Sequence, residues 1–262
     1  MASRLQGKIA IVTGAGSGYG LGIATKLISE GANVVIADIS ETNGMAAADK
    51  LGATYVKTDV TDKAQWQNLL EMTLSTYNAL HIVVNNAGSC YEKQPSETLS
   101  DHEFDLTMNV NVRSIFNSVA VIVPHFLQQG DGVFVNIAST SAIRPRPGAP
   151  YLLCYSSVFS LTRIKGLAWY AASKAAVNVA SNGMAIEYGS RGIRFNTVCP
   201  VVGLTSMTNT MQQSDLDAFA STIPLGRMCT PDDVAGAVAY LVSPDAKFIT
   251  GVNLQVDGGR CA

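Results

Sequence analysis

The feature that most constrains the fold is Thr13-Gly14-Ala15-Gly16-Ser17-Gly18-Tyr19-Gly20, which follows directly on the apolar run Lys8–Thr13. A continuous apolar run bounded by glycine suits a strand buried on both faces. Glycines in the turn permit positive φ and let the backbone come close to a ligand. A helix beginning there, from about Gly20 to Glu30, would aim free N–H groups and partial positive charge at that ligand. Gly14, Ser17, Gly18, Tyr19 and Gly20 are therefore the expected contacts of a dinucleotide pyrophosphate. A glycine-rich loop alone is a weak signal, and the flanking strand and helix strengthen it.

The rest of the chain repeats the alternation. Further strands are predicted at Asn33–Asp38, 53–57, 79–85, Gly132–Ala138, Ile193–Val198 and Val252–Val256. Helices are predicted at roughly 42–51, 62–77, 101–129, 168–189 and 231–242. The last of these opens on a capping signature: Thr230, Pro231 at the first helical position, and Asp233 three residues after the cap. Strand–helix alternation over 262 residues predicts an α/β fold: a single doubly wound parallel-sheet (Rossmann-type) domain covering 1–262.

Composition narrows the function classes. The net charge is −2 and no Lys/Arg cluster stands out, so no nucleic-acid surface is expected. No run reaches the roughly 18 apolar residues of a membrane span. Met1 to Lys8 carries charge without a long apolar core, unlike a signal peptide. The five cysteines, Cys90, Cys154, Cys199, Cys229 and Cys261, show no metal-ligand spacing. A cytoplasmic, reducing setting and no metal site are the expectations.

Two further regions bear on a cofactor. Asp38 closes the second predicted strand, 18 residues past Gly20. A carboxylate there can accept from both ribose hydroxyls and repels a 2′-phosphate. No basic residue stands at Ser17 or Ile39 to attract that phosphate, so NAD is expected over NADP. Asp38 capping the next helix is the competing reading, although Ser40 is available for that. Asp59-Val60 and Asn86-Ala87-Gly88 follow the third and fourth strands, at carboxyl ends where open α/β sheets bind ligands. Asp59 and Val60 are assigned to the adenine, and the small Ala87 and Gly88 to the adenosine ribose. Turn formation explains either segment about as well.

Chemistry points to Tyr170-Ala-Ala-Ser-Lys174. A phenol and an ammonium four residues apart share one face of a helix. A phenol titrates near ~10, and a nearby ammonium favours its ionised form. Ser139 follows a strand and is placed to orient a substrate oxygen. Asn111, inside a predicted helix, is suited either to hold a water linking Lys174 to solvent or simply to packing.

The glycine turn, Asn85-Asn86-Ala87-Gly88, Asn111, Ser139, Tyr170…Lys174 and Pro200…Thr205 together resemble, in order, the short-chain dehydrogenase/reductase superfamily. The 3-oxoacyl-reductase-like and polyol-dehydrogenase-like members are the nearest in flavour. The resemblance implies a catalytic tetrad of Asn111, Ser139, Tyr170 and Lys174. Tyr170 would be the general acid/base, and Lys174 would also bind the nicotinamide ribose. Ser139 would polarise the carbonyl, and Asn111 would support a proton relay. Pro200 and Thr205 would lie by the nicotinamide; Val201 stands where many members have glycine. It also implies a homo-oligomer, tetramer or dimer. The small residues of 168–189 would let a partner helix approach, or would serve packing within one subunit.

One stretch departs from that family. Thirty residues, Thr140 to Trp169, separate Ser139 from Tyr170, where members usually place about a dozen. Removing Ala149 to Gly166 restores the usual spacing. These 18 residues are apolar and aromatic. They read as a substrate flap, a partner contact, or a short intron translated in frame. Leu204 to Arg227, with Met207, Met211, Leu216, Phe219, Ile223 and Leu225, is the expected substrate lid or else core packing. The expected reaction interconverts a medium-sized, partly apolar secondary alcohol and ketone. A silent NAD(H)-binding sensor or scaffold, disabled by the 149–166 insertion, is the alternative. A dehydratase or epimerase on the same fold lacks a second acid/base pair.

Overall fold

A computed structural model describes residues 3–143, 166–204 and 212–262. Seven parallel strands form one sheet: β1 (Ile9–Thr13), β2 (Asn33–Asp38), β3 (Thr54–Lys57), β4 (Ile82–Asn85), β5 (Gly132–Ile137), β6 (Ile193–Pro200) and β7 (Asn253–Val256). Their order is β3-β2-β1-β4-β5-β6-β7. The chain thus winds outward from β1 in one direction, then returns to the other side through β4. The switch falls between β1 and β4, so the turns that leave these two strands open side by side.

Helices cover both faces. They are α1 (Gly18–Ser29), α2 (Glu41–Leu51), α3 (Lys63–Tyr77), α4 (Asp101–Met108), α5 (Ser114–Gln129), α6 (Ala168–Tyr188), α7 (Gln213–Ala220) and α8 (Pro231–Val242). Alternate strand residues feed two cores. Ala10, Val12, Val34 and Ile36 pack with Ile23 and Leu27 of α1 and Val234 and Val238 of α8. Ile11, Val35, Val83 and Phe134 pack with Trp66 and Leu69 of α3 and Ile122 and Phe126 of α5. Every residue of β1, β4 and β5 is buried, which is why these strands read as largely apolar runs.

Local chemistry fixes the helix starts. Asp62 accepts from Ala64 N at 2.8 Å to cap α3. At α8 the Thr230 N–H and hydroxyl both donate to Asp233, each at 2.8 Å, as the capping signature predicts. Arg227 grips the same carboxylate at 2.6 and 2.7 Å.

Two features depart from the sequence expectations. The single predicted helix 101–129 is interrupted by a π-helical turn, Asn109–Arg113, and α7 falls where no helix was expected. The whole 101–129 segment is long and apolar enough to cross a membrane by length and composition. Ile115, Ile122, Val123 and Phe126 on it are buried within the fold, so its apolar character has a core to serve.

Candidate active site

The glycine turn is clamped from the side. Because β1 and β4 are neighbours, Thr13 lies beside Asn86 and Ala87. Its hydroxyl accepts from both of their N–H groups at 3.0 Å. The Asn86 amide returns two bonds, to the carbonyls of Thr13 (2.9 Å) and Gly14 (3.2 Å). Gly14 has φ of 61°, and a Cβ there would sit 3.0 Å from Ala87 Cα. A Cβ on Gly20 would collide with the Gly14 carbonyl and come within 2.5 Å of Asn86 Nδ2. The turn therefore needs glycine at both positions, for conformation at one and for space at the other.

Gly18, Tyr19 and Gly20 fill the first turn of α1, where N–H groups have no intrahelical acceptor. Ser17 is the N-cap residue, but its side chain makes no capping bond. The Tyr19 hydroxyl donates to Val201 O at 3.1 Å, tying α1 to the exit of β6. Tyr19 thus offers the turn its backbone, while burial holds the phenol well above its ordinary range.

Asp38, at the end of β2, is held by the backbone around it. Its two carboxylate oxygens accept from Gly16 N (2.8 Å) and Ser40 N (2.9 Å). Capping of α2 falls to Ser40, whose hydroxyl accepts from Asn43 N. Asp38 is thereby aimed at the glycine turn and spared for another partner. Ile39 beside it is 63% exposed. Asp59 Oδ1 accepts from the Thr61 N–H (2.9 Å) and hydroxyl (2.8 Å), so the turn role is real. Val60 is buried, and its carbonyl accepts from the Trp66 indole at 3.0 Å.

The four chemical residues arrive from three places: Tyr170 and Lys174 from α6, Asn111 from the π turn, and Ser139 from the exit of β5. Lys174 is buried on α6, and its Nζ donates to Ile137 O at 2.9 Å, at the carboxyl end of β5. Asn111 lies in the π turn. Its Oδ1 accepts from Ser89 N (2.8 Å), and its Nδ2 donates to Ser89 O (2.9 Å) and Ser173 Oγ (3.0 Å). The Ser173 hydroxyl in turn donates to Tyr170 O at 2.7 Å. Gly88 marks where these meet: a Cβ on it would stand 3.3 Å from Lys174 Nζ and 3.4 Å from Asn111 Oδ1. Ser139 accepts from Ser141 N (3.2 Å) and Ser141 Oγ (2.9 Å), and its hydroxyl favours the ionised form of the Tyr170 phenol.

The electrostatics differ from the sequence expectation. Burial pushes the Tyr170 phenol up to about 12, with Cys90 adding to the rise and the Ser139 hydrogen bond opposing it. Burial likewise brings Lys174 down to about 8. The ammonium lies 6.0 Å from the centre of the Tyr170 ring. Burial is the largest influence on both groups, and it outweighs any lowering of the phenol by the lysine.

Pro200 ends β6 and is buried with Val201; Thr205, Met207 and Met211 lie outside the described residues, as do 149–165. Of the expected lid, Phe219 and Ile223 are buried in the core beside Val234, which is packing, while Leu225 is 70% exposed. Thr13 and Ser173 belong to this site more closely than the sequence places them; both stand inside the motifs already singled out. Cys90, which with Tyr91 is expected from the sequence to line the substrate cleft, raises the Tyr170 phenol.

Comparison with known proteins accords with this geometry. A family model described as short chain dehydrogenase matches residues 8–156, and one described as Enoyl-(Acyl carrier protein) reductase matches 146–260. The chain belongs to the short-chain dehydrogenase family. It is 40% identical over 266 residues to 4-formylbenzenesulfonate dehydrogenase of Comamonas testosteroni, covering 98% of each chain. It is 31% identical to cyclohexanol dehydrogenase of an Acinetobacter species, over 98% of this chain and 96% of that one. The solved structure of a Brucella melitensis 3-ketoacyl-(acyl-carrier-protein) reductase complexed with NADH superposes with a TM-score of 0.88 at 37% identity, over 98% of this chain and 100% of that one. This family member is an oxidoreductase, and its seven-stranded parallel sheet is the family fold.

Proposed function

We propose that the chain is an NAD(H)-dependent dehydrogenase interconverting a secondary alcohol and a ketone, with Tyr170 as general acid/base. The observation that carries this is the meeting of Lys174 and Asn111 at Gly88, beside the clamped glycine turn, with Ser139 acting on the Tyr170 phenol. The turn's first-turn N–H groups would hold the pyrophosphate. Asp38, fixed by two backbone N–H groups, would accept from the adenosine ribose and repel a 2′-phosphate. A bound nicotinamide supplies or takes up the hydride. Tyr170 then gives its proton to the carbonyl oxygen in reduction, or removes it from the alcohol in oxidation. Ser139 fixes that oxygen, and Lys174 bonds the nicotinamide ribose. Asn111, buried and anchored on Ser89 and Ser173, orders the path by which the proton returns from solvent. Asp59, Val60, Asn86, Ala87, Pro200 and Thr205 would complete the cofactor's surroundings.

The substrate is a partly apolar ketone or secondary alcohol, and the setting is cytoplasmic. The outer faces of α4, α5 and α6 expose Leu106, Phe116, Val179 and Ile186, which supports a homo-oligomer. The competing reading, an NAD(H) binder without turnover, draws on the stretch 149–166 just ahead of Tyr170. Titration with NADH and NADPH, followed by oxidation of cyclohexanol with NAD, separates them. Tighter NADH binding, turnover, and its loss in Tyr170→Phe with binding intact are expected. Tighter NADPH binding, or an active Tyr170→Phe, would overturn the assignment.

A further inference from the structure

We propose that Tyr91 is a positioning residue that sets the first turn of α6 and, through it, the Tyr170 phenol. This rests on the assignment of Tyr170 as acid/base. Helix α6 starts without a side-chain cap: its N-cap residue is Leu167, which contributes none. An N-terminus of this kind leaves its first N–H groups unpaired. One of them is satisfied from outside the helix. The phenol oxygen of Tyr91, 78 residues away in sequence, accepts from Trp169 N at 3.1 Å. Trp169 immediately precedes Tyr170, so this cap acts on the peptide that aims the phenol.

The segment around Tyr91 is fastened at both ends. Gln94 N donates to Gly166 O at 3.3 Å, just ahead of the helix. Gly166 has φ of 81°, and a Cβ there would come within 2.5–3.0 Å of the Gln94 backbone, so the two strands of chain touch. Gln94 Nε2 donates to Glu103 Oε1 on α4 at 3.0 Å. The Trp169 ring meets Phe104 of α4 edge-on, with centroids 5.2 Å apart. Residues 91–94 thus form a strap joining the start of α6 to α4. The next anchors along α6 are Ser173, which meets Asn111, and Lys174, which meets Ile137 O. The strap fixes the side of Tyr170 that those anchors do not. Among the described residues Tyr91 makes no bond to the reacting groups; it works through the helix.

The test is Tyr91→Phe in the full chain, which keeps the ring and deletes the acceptor. Cyclohexanol oxidation gives kcat and KM for NAD, and amide hydrogen exchange follows peptides covering 166–174. The expected result is a fall in kcat of about 3–10-fold, the scale of one lost hydrogen bond, with KM for NAD unchanged. Faster exchange should be confined to the first turn of α6. Unchanged kcat, or unchanged exchange in that turn, would overturn the proposal. So would faster exchange spread evenly over α6 and β5, which would mark general loosening. Tyr170→Phe run alongside keeps the two assignments apart. If that variant stays active, the acid/base reading fails, whereas a dead Tyr170→Phe with a fully active Tyr91→Phe removes the strap alone. The exchange arm decides without turnover.

Discussion

Replacing Lys174 by methionine should make the cofactor-free protein more stable while destroying its activity. The lysine is 5% exposed, and burial brings it from an ordinary 10.5 down to about 8. At ~1.4 kcal/mol per pH unit, that drop places the charged form about 3 kcal/mol above where it would stand in water. The sign follows from proton counting. Between pH 8 and 10.5 the unfolded chain binds the proton and the folded one releases it, so this group makes stability rise with pH through that window. Below pH 8 both states are protonated and the whole penalty is present. Methionine removes it but strands the Ile137 carbonyl, now bonded at 2.9 Å, at a cost of about 1 kcal/mol or somewhat more. A net gain of about 2 kcal/mol at pH 7 translates into a rise in Tm of roughly 4–8 °C for a chain of this size. Thermal unfolding of Lys174→Met and the parent, without cofactor, at pH 7 and pH 10 checks this. The gap should be wide at pH 7 and close at pH 10. A methionine variant less stable at pH 7, or a gap indifferent to pH, would refute the claim that the site is built around a desolvated charge.

Three further outcomes follow from the same geometry. Gly20→Ala drives a methyl into the Gly14 carbonyl and Asn86 amide; overpacking of this kind costs about 1–3 kcal/mol, and NADH affinity measured by fluorescence titration should fall at least ~10-fold. Asp38→Ala deletes a carboxylate already oriented by Gly16 and Ser40. Bonds to a charged group are worth ~1.5–3 kcal/mol, so the ratio of NADPH to NADH dissociation constants should narrow by roughly 10–100-fold; an unchanged ratio would show that Asp38 does not read the ribose. With the phenol raised to about 12, Tyr170 holds its proton at neutral pH. Cyclohexanol oxidation should therefore accelerate from pH 7 to 9 while the reverse reduction does not, and a flat oxidation profile would count against Tyr170 as the base.

Strand placement was readable because a parallel strand buried on both faces leaves an uninterrupted apolar signature. Asn33–Asp38 matches its predicted bounds, and β1 falls within one residue of its own. The switch between β1 and β4 follows from connection rules rather than from any residue. What stayed hidden depends on contacts between distant segments. A π turn costs no composition, so Asn109–Arg113 reads as ordinary helix, yet it carries Asn111. Helix α7 is a short amphipathic piece ahead of α8, below the length at which periodicity speaks. The hydroxyl of Tyr91 becomes a helix cap only because the fold returns it to Trp169.

The Tyr170–Lys174 pair shows the same divide in its chemistry. Four-residue spacing establishes that the two side chains share a face, and it invites the inference that one charge tunes the other. Spacing carries no information about solvent. Packing against β5 and the π turn takes the ammonium out of water and spends its hydrogen bond on Ile137 O, so the field that reaches the phenol is outweighed by what burial does to both groups. In the free protein the group that pulls the phenol down is Ser139. Lysine at 174 then fits for a reason beyond its charge: it is a cation able to shed its proton in a site that disfavours charge. Arginine, which keeps its proton under all ordinary conditions, carries the same sign and would not be a conservative replacement there.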